Sequence, residues 1–233
     1  MSVIRSIRSQ FVPVHPQGYP FVGGFALASL VLFWLWPPLG WIGTVATLWC
    51  VYFFRDPPRT TPVREGVVVA PADGRVAQIA NVVPPPELGL GERPLPRISI
   101  FMSIFDCHVN RSPIGGRIER IVYRAGAFVS ADLDKASEQN ERNAFVIAGA
   151  GGIRVGVIQI AGLVARRIVP FVREGEAIAA GQRLGMIRFG SRVDVYLPES
   201  IWPLVATGQT AIAGETVIAD LRAVDHGRSF RVA

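Results

Sequence analysis

The chain has 233 residues, half of them hydrophobic, and 24 basic against 18 acidic side chains give a net charge of +6. This composition is typical of a globular protein and excludes a disordered or collagen-like chain. Cys50 and Cys107 lie far apart, so the sequence predicts neither a disulfide framework nor a metal site, and a cytoplasmic setting fits best. Lys135 is the only lysine, so a pyridoxal phosphate enzyme or a biotin or lipoyl carrier would have to use it.

The charge is unevenly distributed along the chain. Residues 1–64 carry five arginines against the single Asp56 and supply +4 of the total, whereas the remainder is nearly neutral. A nucleic-acid-binding domain would need a basic stripe on its folded surface. The sequence therefore argues against a nucleic-acid partner.

Two uncharged apolar runs, residues 21–36 and 39–54, are separated by Pro37 and Pro38, which force a turn. They predict a hairpin of helices about 24 Å long, short of a hydrocarbon core of roughly 30 Å. Arginines at both outer ends place those ends in the cytoplasm, and tryptophans crowd the tip. We interpret residues 1–60 as a hairpin on the cytoplasmic face of the cell membrane. A signal peptide and a buried core hairpin are the alternatives.

Residues 61–233 form the second predicted domain, in which short β-branched runs alternate with glycine and proline. This pattern predicts a mainly β fold, a sandwich or a barrel, and the absence of alternating amphipathic helices excludes a doubly wound sheet. Residues 149–152 predict a hairpin connection. Residues 131–143 predict a short helix or an ordered loop. The predicted strands are residues 67–70, 75–82, 97–104, 116–123, 144–148, 153–160, 165–169, 183–189 and 192–197.

Two segments, residues 67–76 and 172–185, resemble the strand-and-turn elements of biotinyl and lipoyl carrier domains. Lys135 also lies in an Asp-Lys-Ala triplet like that around lipoylated lysines. A charged, amide-rich run follows it at 137–143, however, and predicts no strand to complete a carrier hairpin. We therefore prefer a solvated helix here, and the likeness concerns the fold alone.

The strongest functional signal is the pair Gly190 and Ser191, held between two predicted strands. In this setting it resembles the processing site of phosphatidylserine decarboxylase proenzymes, specifically the short bacterial class. Further segments occur in that family's order: Pro-Ala-Asp-Gly at 71–74, Phe-Asp-Cys-His-Val-Asn-Arg-Ser-Pro at 105–113 and Lys-Ala-Ser-Glu-Gln-Asn-Glu-Arg-Asn at 135–143. The resemblance covers nearly the whole chain, including the apolar hairpin.

The resemblance implies an enzyme that cuts itself and works without a metal or pyridoxal phosphate. Ser191 would attack the Gly190 carbonyl, and elimination would leave a β chain of residues 1–190 and an α chain of residues 191–233 that begins with a pyruvoyl group. Glycine before the cut lacks a Cβ that would block the attack. The pyruvoyl ketone would form a Schiff base with phosphatidylserine and accept electrons as CO₂ leaves, giving phosphatidylethanolamine.

His108 is the best candidate for general acid and base work, because His15 precedes the hairpin and His226 lies in a polar tail. Asp73 matches the acidic member of the family's self-processing triad. A plain Asp-Gly turn and a structural histidine are the alternative interpretations.

One position departs from the pattern of longer family members, which carry His-x-x-His and assign the second histidine to the triad. Here the spacing gives His108 and Arg111. Either His108 performs both tasks or another group activates Ser191. Arg111 cannot act as a base near neutral pH, but it could bind the phosphate or carboxylate of the substrate.

Two other functions stay open at this point. A membrane-anchored adaptor with a carrier-like β domain would explain the hairpin, but not the environment of Gly190 and Ser191. A serine hydrolase using Ser191, His108 and Asp73 lacks the Gly-x-Ser-x-Gly elbow. The sequence leaves the oligomeric state open, a homo-oligomer being one option.

Overall fold

The structure is a computed structural model that describes residues 12–126, 140–162, 167–188 and 191–222. The chain divides into two units, Met1–Pro58 and Arg59–Ala233. The first is a helical hairpin and the second is built of antiparallel strands. The predicted fold class, a mainly β domain preceded by an apolar helical hairpin, is confirmed.

The hairpin consists of α1 (Tyr19–Leu35) and α2 (Pro37–Phe53), and a short 3₁₀ turn, Pro16–Gly18, precedes it. Trp36 is extended between the helices, with φ −164° and ψ 115°. Pro37 and Pro38 take the first positions of α2, where a missing N–H costs no helical hydrogen bond. By length and composition, the segment Pro16–Leu35 could cross a membrane.

Small residues bring the two helices together. A Cβ at Gly43 would lie 2.7 Å from the Ser29 hydroxyl and 3.0 Å from its Cα, so only glycine permits this approach. Ser29 donates to the Phe25 carbonyl at 2.7 Å and lies 3.0 Å from the Thr47 hydroxyl. The hydroxyls of Ser29 and Thr47 are thus satisfied inside the hairpin.

In the described residues of the second unit there are thirteen strands. They are β1 (Val67–Val69), β2 (Gly74–Val82), β3 (Leu95–Met102), β4 (Val109–Arg111), β5 (Gly116–Arg124), β6 (Arg142–Ala148), β7 (Arg154–Ala161), β8 (Arg167–Pro170), β9 (Ala177–Ile178), β10 (Arg183–Arg188), β11 (Ser191–Tyr196), β12 (Thr210–Ala211) and β13 (Val217–Asp220). Each of the nine predicted strands has an observed counterpart. Four short strands, β4, β9, β12 and β13, were not predicted.

The strands form three antiparallel sheets. The eight-stranded sheet has the order β12-β2-β3-β11-β7-β6-β5-β9, the three-stranded sheet is β4-β10-β8, and β1 pairs with β13. Residues from both larger sheets, such as Val193, Phe145 and Ile187, share one buried apolar cluster. The inner face of the eight-stranded sheet is therefore the core. The predicted hairpin connection at 149–152 joins β6 to β7, with Gly151 and Gly152 at positive φ.

The interpretation of residues 137–143 as part of a solvated helix is wrong at its C-terminal end. Residues 140–143 are all at least 95% buried, and Arg142 and Asn143 open β6. Burial is favoured because three of these side chains have partners: Asn140 donates to the Ala161 carbonyl at 2.7 Å, Glu141 accepts from the Ile168 amide at 3.2 Å, and Arg142 pairs with Glu87. Residues 127–139, including Lys135, lie outside the described part of the chain.

Candidate active site

Ser191 opens β11, a central strand of the eight-stranded sheet, and is fully buried. It pairs with Met102 of β3 on one side and with Ala161 of β7 on the other. The chain reaches Ser191 from β10 of the three-stranded sheet, which ends at Arg188. It therefore crosses from one sheet to the other immediately before the serine. Gly190, predicted as the residue before the cut, lies outside the described residues.

His108 is fully buried and immediately precedes β4. Its Nδ1 lies 3.0 Å from the Asp106 carbonyl oxygen, and its own carbonyl accepts from the Ile187 amide at 3.3 Å. A carbonyl only accepts, so Nδ1 carries the proton in the neutral ring and Nε2 carries the lone pair. His108 therefore has the tautomer that a general base acting through Nε2 requires.

The backbone of His108 continues β4, because its carbonyl accepts from the Ile187 amide of β10. Asn110, two residues further on, accepts a hydrogen bond from Gln159 on the inner face of the eight-stranded sheet. Side chains two residues apart on an extended strand point the same way. Ser191 shares that inner face with Gln159, because it lies two residues before Val193, the partner of Gln159. His108 and Ser191 thus face the same interior from opposite sheets.

Asp73 lies in the turn between β1 and β2, and both of its carboxylate oxygens are engaged. One lies 2.5 Å from Arg59 Nη2 and the other accepts from the Ala213 amide at 2.8 Å. In the described part of the chain the contacts of the carboxylate are thus with the 59 and 213 segments rather than with His108. The geometry alone gives Asp73 the role of a clamp on this turn.

The Asp73 turn nevertheless abuts the strand beside Ser191. Gly74 has φ +144°, and a Cβ there would lie 2.1 Å from the Phe101 carbonyl oxygen. Phe101 precedes Met102, the cross-strand partner of Ser191. Since neighbouring strands lie about 4.8 Å apart, the turn sits roughly 10 Å from Ser191, one strand removed. Any displacement of the turn is transmitted to the end of β3.

Arg111 is almost fully buried on β4, and its guanidinium donates to the Gly181 carbonyl at 2.9 Å. Its amide donates to the Pro71 carbonyl at 2.8 Å. These contacts tie β4 to the loop before β10 and to the Asp73 turn. The substrate-binding role predicted for Arg111 stays a prediction.

Sequence reasoning missed three amides on the inner face, namely Asn110, Asn143 and Gln159. All are at least 99% buried. Gln159 and Asn143 are cross-strand partners. The one signal in the sequence was an amide inside the apolar run Val-Gly-Val-Ile-Gln-Ile-Ala at 155–161. Several atoms here have no hydrogen-bond partner among the described residues: Ser191 Oγ, Gln159 Oε1 and both amide atoms of Asn143.

The opposite face of β11 carries a buried charge network. Arg192 Nε lies 2.9 Å from Asp194 Oδ1, and Arg97 reaches the same carboxylate at 3.9 Å. Burial raises the pKa of Tyr196 to about 12, and the negative charge of Asp194 adds to the rise. Because successive side chains point to opposite faces, this network anchors β11 without entering the Ser191 side.

The fold and the site together define a β-rich protein with a buried serine at a crossing between two sheets and a buried histidine beside the smaller sheet. A family model described as phosphatidylserine decarboxylase matches residues 46–219. A phosphatidylserine decarboxylase proenzyme from Nitrobacter winogradskyi is 66% identical over 227 residues, which cover 97% of this chain and 92% of that protein. The chain belongs to the phosphatidylserine decarboxylase family and is an enzyme of the decarboxylase class. Family membership disfavours both the adaptor and the serine hydrolase.

Proposed function

We propose that this enzyme makes its own pyruvoyl group from Ser191 and converts phosphatidylserine to phosphatidylethanolamine and CO₂. The observation that carries the proposal is the position of Ser191: fully buried, first in a central strand, and directly after the crossing between two sheets. Its hydroxyl has no hydrogen-bond partner in the described residues. Leaving a buried hydroxyl unpaired costs about 1–3 kcal/mol, which suits a group held for chemistry.

Self-cleavage uses groups of the chain itself. His108 Nε2 takes the proton of Ser191 Oγ as the oxygen forms a bond to the Gly190 carbonyl carbon. The amide bond then breaks, and the Ser191 nitrogen leaves with that proton, so residues 1–190 are held through an ester. Loss of the Ser191 Hα breaks the Cβ–Oγ bond and frees the Gly190 carboxylate. Hydrolysis of the remaining enamine consumes one water and releases ammonia.

Once formed, the pyruvoyl group supplies an electron sink for the loss of CO₂ from the amino-acid head group. The surroundings of Ser191 fit such a group. Met102 and Ala161 flank the position on both neighbouring strands and are fully buried, which limits water at the reacting atoms. His108, facing the same interior, can hold a proton there and deliver it after CO₂ has left.

The contacts of Asp73 support a positioning role in self-cleavage. Its carboxylate fixes the turn that presses on Phe101, next to the strand partner of Ser191. We assign it the task of holding the end of β3 in place. The triad role implied by the resemblance instead requires the negative charge of Asp73 in the chemistry itself. The variants Asp73→Asn and Asp73→Asn with Arg59→Leu distinguish the two roles.

We further propose that the hairpin holds the enzyme at the cytoplasmic face of the cell membrane. Its outward-facing side chains are apolar, with Trp34 85% exposed and Leu30 and Val45 66% exposed. The hydroxyls of Ser29, Thr44 and Thr47 bond within the hairpin. A hairpin with apolar side chains on its outside and hydrogen-bonded hydroxyls on its inside suits hydrocarbon surroundings. A diacyl lipid does not leave the bilayer readily, so the enzyme must come to the head group.

The test is the intact mass of wild-type protein and of Ser191→Ala. The wild type should give fragments 1–190 and 191–233 whose summed mass exceeds that of the proenzyme by about 1 Da, against about 18 Da for simple hydrolysis. Incubation with phosphatidylserine and cyanoborohydride should add the lipid to fragment 191–233. Ser191→Ala should stay uncut and inactive.

Ser99→Ala is the matched control. Ser99 is equally buried on neighbouring β3 and its hydroxyl also lacks a hydrogen bond in the described structure, but it pairs with Asp194 on the opposite face of the sheet. It should cleave and turn over normally. Decarboxylase activity in uncut Ser191→Ala would refute the proposal.

A further inference from the structure

A bridge of buried side chains passes over Ser191 from one neighbouring strand to the other. Gln159 of β7 donates through Nε2 to Asn110 Oδ1 at 2.7 Å, and Asn110 donates through Nδ2 to Met102 Sδ at 3.5 Å. Met102 pairs directly with Ser191, and Gln159 lies one pair further along on the other side. Asn110 comes from the facing sheet, on the strand that follows His108. The bridge therefore ties the histidine segment to both neighbours of the serine.

The bridge also fixes which atom of Gln159 is left over. A thioether sulfur only accepts, so Asn110 must turn its NH₂ group toward Met102. Its oxygen then faces Gln159, which must offer its own NH₂ group. Gln159 Oε1 is consequently turned away from Asn110, and it has no partner among the described residues.

The bridge lies beside Ser191 without binding its hydroxyl. Ser191 and Gln159 are diagonal neighbours on one face of an antiparallel pair. Among the described residues, neither Ser191 Oγ nor Gln159 Oε1 has a hydrogen-bond partner, so the two atoms are not bonded to each other. The single proton of the Ser191 hydroxyl is therefore left for His108 Nε2.

We propose that Gln159 and Asn110 are positioning residues for self-cleavage: their amide bridge, anchored on Met102 beside Ser191, docks the His108 segment over the serine. The inference rests on the proposed function of Ser191. It goes beyond that function by naming the groups that hold the segment of His108, which has Arg111 where longer family members carry a second histidine.

The test measures cleavage and folding side by side in four proteins: wild type, Gln159→Met, Asn110→Leu and the double variant. Each is made by cell-free synthesis and followed on denaturing gels, with the ester intermediate trapped by hydroxylamine. Each single variant should slow ester formation about tenfold to a hundredfold, since misplacing a reacting group by about an ångström costs that much. Each single variant should also lower the unfolding midpoint, because it leaves one amide unpaired.

The double variant separates positioning from mere structure. Replacing both partners by apolar groups of similar shape is close to neutral for stability, so its unfolding midpoint should return toward wild type. Its cleavage should remain slow, because the bridge that docks the His108 segment is still missing. Cleavage that recovers together with stability would show a structural role only and overturn the inference.

A matched control lies in the same sheet on the outer face. Gln78 accepts from Arg97 there, so Gln78→Met removes a glutamine hydrogen bond away from Ser191 and should cleave at the wild-type rate. Wild-type cleavage in Gln159→Met would refute the inference and leave the proposed function intact. An uncut wild type would instead refute the proposed function itself.

Discussion

Removing the charges of the Arg59–Asp73 ion pair one at a time tests whether Asp73 clamps its turn or takes part in the chemistry. Both side chains are largely buried, 11% and 15% exposed, and their closest atoms lie 2.5 Å apart. Asp73→Asn keeps an oxygen for the Ala213 amide but turns an NH₂ group toward the guanidinium. Losing this charged hydrogen bond should cost about 2–3 kcal/mol, within the roughly 5–15 kcal/mol of a typical domain. The variant should fold and cleave slowly, because the turn shifts against β3.

Adding Arg59→Leu removes the cation that Asp73→Asn leaves unpaired. If the carboxylate serves the site by clamping the turn, the double variant should regain about half of the lost stability and also part of its cleavage rate. Urea unfolding gives the free energy of unfolding, and a time course of fragment 191–233 on denaturing gels gives the cleavage rate. A double variant that regains stability while its cleavage stays as slow as in Asp73→Asn would refute the clamp and assign the negative charge to the chemistry itself.

Three further outcomes are expected. His108→Gln should stay largely uncut over hours, because glutamine keeps a polar side chain but cannot take a proton, and denaturing gels show this. Between pH of about 10 and about 12 the Tyr196 phenol ionises in the unfolded chain but not in the native one, so the free energy of unfolding falls by up to about 3 kcal/mol as pH rises; urea unfolding should show a weaker fall in Tyr196→Phe. Replacing Trp34 and Trp41, 85% and 65% exposed, by serine should weaken co-sedimentation with phospholipid vesicles while leaving self-cleavage unchanged.

The long strands were predictable because their own residues specify them. β3, β7 and β11 each combine β-branched residues with a clear boundary, and each pairs over six or more residues. The hairpin was predictable for the same reason, since an uncharged run interrupted by two prolines has few other solutions. Local sequence determines these elements, and distant partners only place them.

The short strands could not be predicted because their partners determine them. β9 and β12 have two residues each, and β4 has three. β4 is a strand because β10 pairs with it, and its residues Val109, Asn110 and Arg111 show no alternation of apolar and polar side chains. This omission mattered for function, because β4 directs Asn110 into the core and His108 immediately precedes it.

The error at residues 140–143 has a related cause. A polar run is normally solvated, and the sequence contains no local sign that Glu87 will supply a carboxylate to Arg142 from a distant 3₁₀ turn. The same holds for Asp73, whose contact with Arg59 spans fourteen positions. Resemblance named Ser191 and His108 as candidates, whereas the amide bridge over Ser191 emerged only once three strands were assembled.

The location of the proposed cut explains how the two fragments would stay assembled after cleavage. Fragment 191–233 would retain β11, which pairs over six residues with β3 and over six with β7, and β13, which pairs with β1. All three partner strands belong to fragment 1–190, so severing the chain before Ser191 removes no strand pairing. The two fragments should therefore co-elute on size exclusion in native buffer and separate only in denaturant. Separation without denaturant would mean that these pairings do not outlast the cut, and the new chain end could not be held beside His108.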